Sequence, residues 1–88
     1  MIRRVILTDG TSEEREVGNG FQTWNEAIDA RMGQIVPTDE GKELWCDEEA
    51  LCKNDPEINS VASALCSRSN YGQPIFGNVI VFQPGDIT

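Results

Sequence analysis

The sequence contains no histidine, and its three cysteines form no Cys-x-x-Cys pair. Without histidine, the chain lacks the side chain most often used for proton transfer near neutral pH and the commonest metal ligand. The spacing of Cys46, Cys52 and Cys66 matches neither a zinc ribbon nor a zinc knuckle, and no fourth Cys or His completes a site. We therefore predict no metal, no cofactor, and free, mostly buried thiols in a reducing cytoplasm.

Catalytic and membrane signatures are also missing. The tract Gly18-Asn19-Gly20 lacks both the GxGxxG spacing and the Lys-Ser/Thr of a phosphate-binding loop. Glu43 and Asp47 are a conceivable acid–base pair, but charged neighbours surround them and few apolar residues are near to raise one pKa. The acidic residues lack the order of a calcium-binding loop, and no apolar run approaches the roughly 18 residues of a membrane span. The sequence thus predicts neither an enzyme nor a membrane protein.

What is present is typical of one small folded domain. The chain has 88 residues, of which 39% are hydrophobic and 25% charged. These fractions are close to the globular range, and the apolar residues are grouped in periodic segments rather than diluted. We expect a single domain over residues 1–88 with a thin core, as its length dictates.

The first half of the chain predicts a hairpin and a helix. Residues 2–7 are rich in β-formers and end at an Asp-Gly turn, after which residues 11–17 can return antiparallel. Residues 23–26 then form a Thr-x-x-Glu capping box, and Gly33 is a stop signal for the helix. Four apolar residues share one face of this helix: Trp24, Ala27, Ile28 and Met32.

The second half predicts four further strands and a second helix. Residues 35–36 form a strand ended by Pro37, and residues 44–52 form a second hairpin with an acidic tip at residues 47–49. An Asp-Pro start at residue 55 leads into a short helix with an apolar face: Ile58, Val61, Ala62 and Leu65. Residues 75–82, which include Phe76 and Phe82, form an apolar run typical of a central strand buried on both faces. The expected fold is α+β, a small mixed sheet with two helices in the order β-β-α-β-(β-β)-α-β.

The last third of the chain resembles the closing signature of a family of small uncharacterised domains from phages, plasmids and actinobacteria. The residues that carry this resemblance are Asn59-x-x-Ala62-x-x-Leu65 and Ile75-x-Gly77-x-Val79-Ile80-Val81. Our sequence departs from the pattern at Cys66 and by an insertion at residues 68–71. Because the family is a domain of unknown function, the resemblance implies a phage or mobile-element origin and no mechanism.

Negative charge is concentrated in one tract. The net charge is −8, and residues 39–57 hold eight acids against two lysines, which accounts for six of those charges. Such a tract is either a solvated sheet edge that prevents aggregation or a docking surface for a basic partner. For the docking alternative, the predicted partner-binding residues combine the acids with two amphipathic aromatics: Glu43, Trp45, Asp47, Glu48, Glu49 and Tyr71.

The resulting functional hypothesis is a phage or mobile-element accessory protein in the host cytoplasm that inhibits or adapts a host protein with a basic surface patch. Direct nucleic-acid binding is disfavoured because the net charge repels phosphates. One alternative is a DNA mimic, which is weakened by the absence of acids from residues 58–85. Another is a homo-oligomer, such as a homodimer in which Arg3 and Arg4 meet the acidic tract of a second copy.

Overall fold

The computed structural model describes residues 1–86 and contains a five-stranded antiparallel sheet with a helix against each face. The strands, in chain order, are β1 Ile2–Ile6, β2 Ser12–Glu16, β3 Gly33–Pro37, β4 Glu43–Asp47 and β5 Val79–Phe82. The helices are α1 Phe21–Ala27 and α2 Ser60–Leu65, and a 3₁₀ turn spans Ala50–Cys52. The strand order across the sheet is β2-β1-β5-β4-β3.

The predicted α+β class is confirmed, with one change to the sheet. Every strand pair is antiparallel, so the sheet is not mixed. The N-terminal hairpin forms as expected, with Ile2 opposite Glu16 and Ile6 opposite Ser12. The last strand is central as predicted, although it begins at Val79 because Gly77, at φ 83°, bends the preceding chain.

Two thin cores lie on opposite faces of the sheet. Val79 of β5 packs with the residues under α2, whereas Ile80 and Phe82 pack with the residues under α1. All three side chains are fully buried. The central strand is continuously apolar because successive side chains enter different cores.

Helix α1 begins and ends earlier than the capping pattern predicts. Its N-cap is Gly20, at φ 105°, so Thr23 lies inside the helix and caps nothing. The helix ends at Ala27, because Ile28 leaves the helical conformation and Asp29 adopts a positive φ of 55°. Trp24 and Ile28 are buried as expected, whereas Met32 lies beyond the helix and is 50% exposed.

Gly33 is the first residue of β3, and it does not stop the helix. The indole of Trp45 covers it so closely that an added Cβ would lie 2.2 Å from Cε2 of that ring. Glycine is needed here because an aromatic side chain of the neighbouring strand occupies the space of its side chain.

The predicted second hairpin does not form. β4 is present, but both of its edges are already paired, one with β3 and the other with β5. No edge is left for a return strand, and Ala50–Cys52 instead forms the 3₁₀ turn. A side-chain bond starts this turn, since Oδ1 of Asp47 accepts the Glu49 backbone N–H at 2.9 Å.

Helix α2 begins at Asn59 as its N-cap, not at the Asp-Pro pair, and contacts the sheet through small residues. Of its predicted apolar face only Ala62 is buried, whereas Ile58, Val61 and Leu65 are 37–49% exposed. The helix has only six residues, fewer than two turns, so it buries little more than Ala62 and leaves the other apolar residues of this face exposed. None of the helices within residues 1–86 has the length and apolar character needed to span a membrane.

Candidate functional site

The acidic tract is divided between two ends of the sheet. Asp39 and Glu40 precede β4, whereas the acids of residues 47–57 lie at its last residue or beyond it. A strand of five residues spans roughly 15 Å, which separates the two groups. The tract therefore does not form one continuous acidic face.

Asp39 belongs to the protein's internal structure. Its carboxylate accepts backbone N–H bonds from Ser69 at 2.8 Å and Arg68 at 3.1 Å, and a hydroxyl bond from Ser67 at 3.0 Å. These bonds, with the Ser69 N–H contributing most, lower the pKa of the Asp39 carboxyl to about 2. Its role is to fasten the β3–β4 turn to the end of α2.

Asp47 and Glu49 are also engaged within the chain. Asp47 is 6% exposed, and its Oδ2 lies 3.0 Å from Nζ of Lys53. Glu49 binds the Arg31 guanidinium through both oxygens, at 3.0 and 2.7 Å, and this bonding lowers the pKa of Glu49. Neither carboxylate is free to meet a partner in this conformation.

Trp45 is a core residue, which corrects its assignment as a surface anchor. It is 5% exposed, stacks on Phe21 at 5.2 Å between ring centroids, and meets Trp24 edge-on at 5.3 Å. Its indole N–H donates to Oδ1 of Asn25 at 2.8 Å. The charged residues two positions away on either side, Glu43 and Asp47, do not reveal this burial. Alternate residues of β4 enter opposite cores, and Trp45 lies in the core under α1.

The other three predicted contact residues lie in different places. Glu43 is half-buried at the opposite end of β4, where it accepts the Gly85 N–H at 3.3 Å. Glu48 is exposed, and Tyr71 is 90% exposed in a turn with φ 56°. Of the six residues, Glu48 and Tyr71 are the two that the structure leaves fully open.

The basic pair proposed for a dimer contact is also divided. Arg3 is 8% exposed, its guanidinium carbon lies 4.4 Å from the centre of the Phe82 ring, and its Nη1 donates to Asp86 at 2.9 Å. Arg4 is exposed on the other face of β1. The two arginines cannot face a second copy together, so a dimer contact through this pair does not fit the fold.

Most of the Lys and Arg side chains form ion pairs with carboxylates of the same chain. Within residues 1–86, five of the seven Lys and Arg side chains form ion pairs with acids, and Arg4 and Lys42 have none. By the same criterion eight acids of this part of the chain have no cationic partner: Asp9, Glu14, Glu26, Glu40, Glu43, Glu48, Asp55 and Glu57. The exterior field is therefore strongly negative.

Four acids line a cleft near the last residue of β4. Asp29, Asp55 and Glu57 are exposed, whereas Asp47 is buried, and Lys53 also lines the cleft. The cleft has a volume of about 170 Å³. No group of Cys, Asp and Glu in residues 1–86 has the arrangement of a metal site.

A larger groove, about 310 Å³ in volume, follows the outer edge of β3. One wall is β3 and the other is the chain over residues 70–76, next to the exposed Tyr71. Its lining residues include Ile35, which is 43% exposed, Leu51, which is 69% exposed, and the exposed acid Glu48. The strand pattern at residues 35–36 was readable from the sequence, but its position at a sheet edge beside a groove was not.

The thiols are free, and two of the three are buried. Cys46 and Cys66 lie in the core under α2, whereas Cys52 is exposed. Burial raises the pKa of the Cys46 thiol to about 12 and also raises that of Cys66. These two thiols are core side chains.

Fold and site together define a small helix–sheet–helix α+β domain with a negative exterior and an amphipathic edge groove. Residues 2–88 match DUF3846, a domain of unknown function, and the chain belongs to that family. The expected membership of an uncharacterised domain family is thereby confirmed. No curated protein and no solved structure matches the chain.

Proposed function

We propose that this domain acts by binding a protein with a basic surface, and that the acids following β4 guide the encounter. The observation that carries this proposal is the charge imbalance after internal pairing, since eight acids against two cations remain without ion pairs in residues 1–86. Acids kept only to hold the fold would be paired like Asp47 and Glu49. An unbalanced field of this size steers oppositely charged partners and increases association rates.

The arrangement of apolar surface supports docking over simple solvation. Glu48 lines the same groove as Ile35 and Leu51, which are both exposed. Protein interfaces combine such an apolar centre with a polar rim, and the charged groups contribute specificity. A sheet edge that is charged only to prevent aggregation has no need of exposed isoleucine and leucine beside it.

The biological setting remains part of the proposal. The C-terminal resemblance, Asn59-x-x-Ala62 followed by the Gly77 strand, supports an origin in a phage or other mobile element. In that setting the domain would act in the host cytoplasm as an inhibitor or adaptor of a host protein.

The test compares two variants of equal charge. In the first, Glu48→Gln, Asp55→Asn and Glu57→Gln neutralise exposed acids that follow β4. In the matched control, three exposed acids elsewhere are neutralised: Glu14→Gln, Glu26→Gln and Glu40→Gln. Tagged wild-type protein and both variants are used to capture proteins from bacterial lysate at low and high salt, after circular dichroism has verified their folding.

We expect one dominant basic protein that is captured at low salt, is lost at high salt, is lost with the first variant and is retained by the control. Equal loss with both variants would indicate a non-specific charge effect and contradict the proposal, as would capture that is independent of salt. Competition with duplex DNA distinguishes the proposal from the DNA-mimic alternative. If DNA displaces the captured protein, the domain occupies a DNA-binding site as a mimic would. If DNA leaves the captured protein bound, the site is specific for the protein.

A further inference from the structure

Two backbone hydrogen bonds, one at each end of the β3–β4 pairing, show which residues of β3 bond to β4 and which face outward. The Thr38 N–H donates to Lys42 O at 2.8 Å, and the Glu48 N–H donates to Met32 O at 2.9 Å. Backbone groups alternate in direction along an antiparallel strand. The even-numbered residues of β3 therefore bond to β4, and the odd-numbered ones face outward.

Three residues, Gly33, Ile35 and Pro37, thus form the outer edge of the sheet. The Pro37 carbonyl accepts a bond from the Ser69 hydroxyl, and proline has no N–H to offer. Within residues 1–86, no hydrogen bond satisfies the outward N–H and C=O of Ile35. An unpaired edge of this kind is a template for an added strand.

The groove supplies the second half of a strand-binding site. It runs along the same edge, between β3 and residues 70–76. Side chains on one face of an added strand would enter it and meet Leu51 and Phe76, with Glu48 also on its lining. Strand addition obtains affinity from the backbone and specificity from pockets for alternate side chains.

The charge distribution selects the occupant. A second copy would bring a net charge of −8 to a surface of the same sign. Its other outer strand, β2, carries three acids and one arginine, so a head-to-tail pairing of β2 with β3 would also bring net negative charge to this edge. A segment rich in Lys or Arg has the opposite charge, so the complementary occupant is a basic strand of another protein.

We infer that the outer edge of β3 binds an extended basic segment of a partner protein as a sixth strand, with alternate apolar side chains of that segment in the groove. This inference rests on the proposed function and specifies where and how the basic partner is held. The Ile35 N–H and C=O supply the central pair of backbone bonds.

Replacement of Ile35 tests this edge. Ile35→Pro removes an outward N–H that no bond of β3 uses, and proline is tolerated on edge strands at such positions. Ile35→Thr is the matched control because it retains the N–H and suits a strand. The probe is a displayed library of random linear 12-residue peptides, panned on the wild-type domain at low salt, and the selected peptides are then titrated against both variants.

We expect selected peptides that alternate apolar residues with Lys or Arg, bind about tenfold or more weakly to Ile35→Pro, and bind Ile35→Thr within about threefold of wild type. In ¹⁵N-labelled wild-type protein, peptide binding should slow hydrogen exchange of the Ile35 amide. That measurement tests the edge site on the unaltered protein, even if Ile35→Pro fails to fold.

Four outcomes would overturn the inference: no selected peptide, equal binding to both variants, no protection of the Ile35 amide, or a wild-type dimer that Ile35→Pro dissociates. The last would identify a second copy as the occupant. If basic peptides or a basic protein bind in a salt-sensitive manner but bind Ile35→Pro as tightly as wild type, the proposed function is retained and the edge site is rejected. If nothing basic binds at all, both fail.

Discussion

Replacement of Asn59 should destabilise this domain more than any exposed substitution. Its side chain is fully buried and joins three elements. Nδ2 donates to the carbonyls of Ile6 at 3.0 Å and Gly77 at 2.9 Å, and Oδ1 accepts the Ala62 N–H at 3.0 Å as the N-cap of α2. One amide therefore ties β1, the chain leading into β5, and the first turn of α2.

The expected loss can be worked out bond by bond for Asn59→Ala. Loss of the cap costs about 1 kcal/mol. Two carbonyl oxygens, of Ile6 and Gly77, lose a donor in a buried setting, and each such loss costs about 1–2 kcal/mol. The total of about 3–5 kcal/mol compares with roughly 4–13 kcal/mol of stability for a domain of this length. Removal of this one amide should thus cost a large part of the free energy of unfolding.

Three further variants separate the contributions. Asn59→Ser retains the cap acceptor, so it should recover about 1 kcal/mol of the loss in Asn59→Ala. Asn59→Asp also retains the cap but directs a buried carboxylate at two carbonyl oxygens, so it should be the most damaging near neutral pH and recover partly in acid. Asn54→Ala is the control, because Asn54 is exposed and should change stability by less than about 0.5 kcal/mol.

Urea unfolding followed by tryptophan fluorescence provides the measurement, since Trp24 and Trp45 are both buried. The reasoning would be refuted if Asn59→Ala lost no more stability than Asn54→Ala. It would also be refuted if Asn59→Asp were as stable as wild type at pH 7, because the two donated bonds would then have no energetic importance.

Other predictions concern packing and charge. Gly33→Ala should displace the Trp45 ring and cost about 1–3 kcal/mol, measured by urea unfolding together with a shifted emission maximum. Because bonding lowers the pKa of Asp39 from 3.8 to about 2, its stabilisation is present above about pH 4 and is lost as the pH falls toward 2. The stability difference between wild type and Asp39→Asn should accordingly shrink over that interval, as followed by thermal unfolding at several pH values. Lys53→Ala should destabilise by about 1–3 kcal/mol, because Asp47 is buried and loses its cation although Lys53 itself is 44% exposed, and Asp47→Asn in the same background should restore part of the loss in calorimetry.

The features predicted correctly from the sequence depend on local rules. The Asp-Gly pair at residues 9–10 produces the first hairpin because Gly10 adopts the positive φ of 91° that closes the short loop between Leu7 and Thr11. The apolar run ending at Phe82 becomes the central strand because only a strand covered on both faces has no polar side. Neither inference required knowledge of which elements meet in space.

The features predicted wrongly depend on long-range contacts. Residues 50–52 do not pair with β4, because β3 and β5 already occupy both of its edges. Gly33 resembled a helix stop, whereas its small size accommodates Trp45. Short polar and glycine signals are ambiguous until the neighbouring strands are known, since the same residue suits a cap, a turn or a close contact.

Charge counted along the sequence overestimates the surface that a partner can meet. Although all three lie in the acidic tract, Asp39 is bonded within a turn, Asp47 is paired with a lysine and Glu49 with an arginine. Carboxylates suit such internal positions because they accept several N–H bonds at once. The acids that remain for recognition, such as Glu48 and Asp55, are those with no cationic partner, and only the folded chain distinguishes them. For the same reason, neutralising residues 47–49 together would perturb the fold as much as any interface, and the variants that test binding must be chosen from the exposed, unpaired acids.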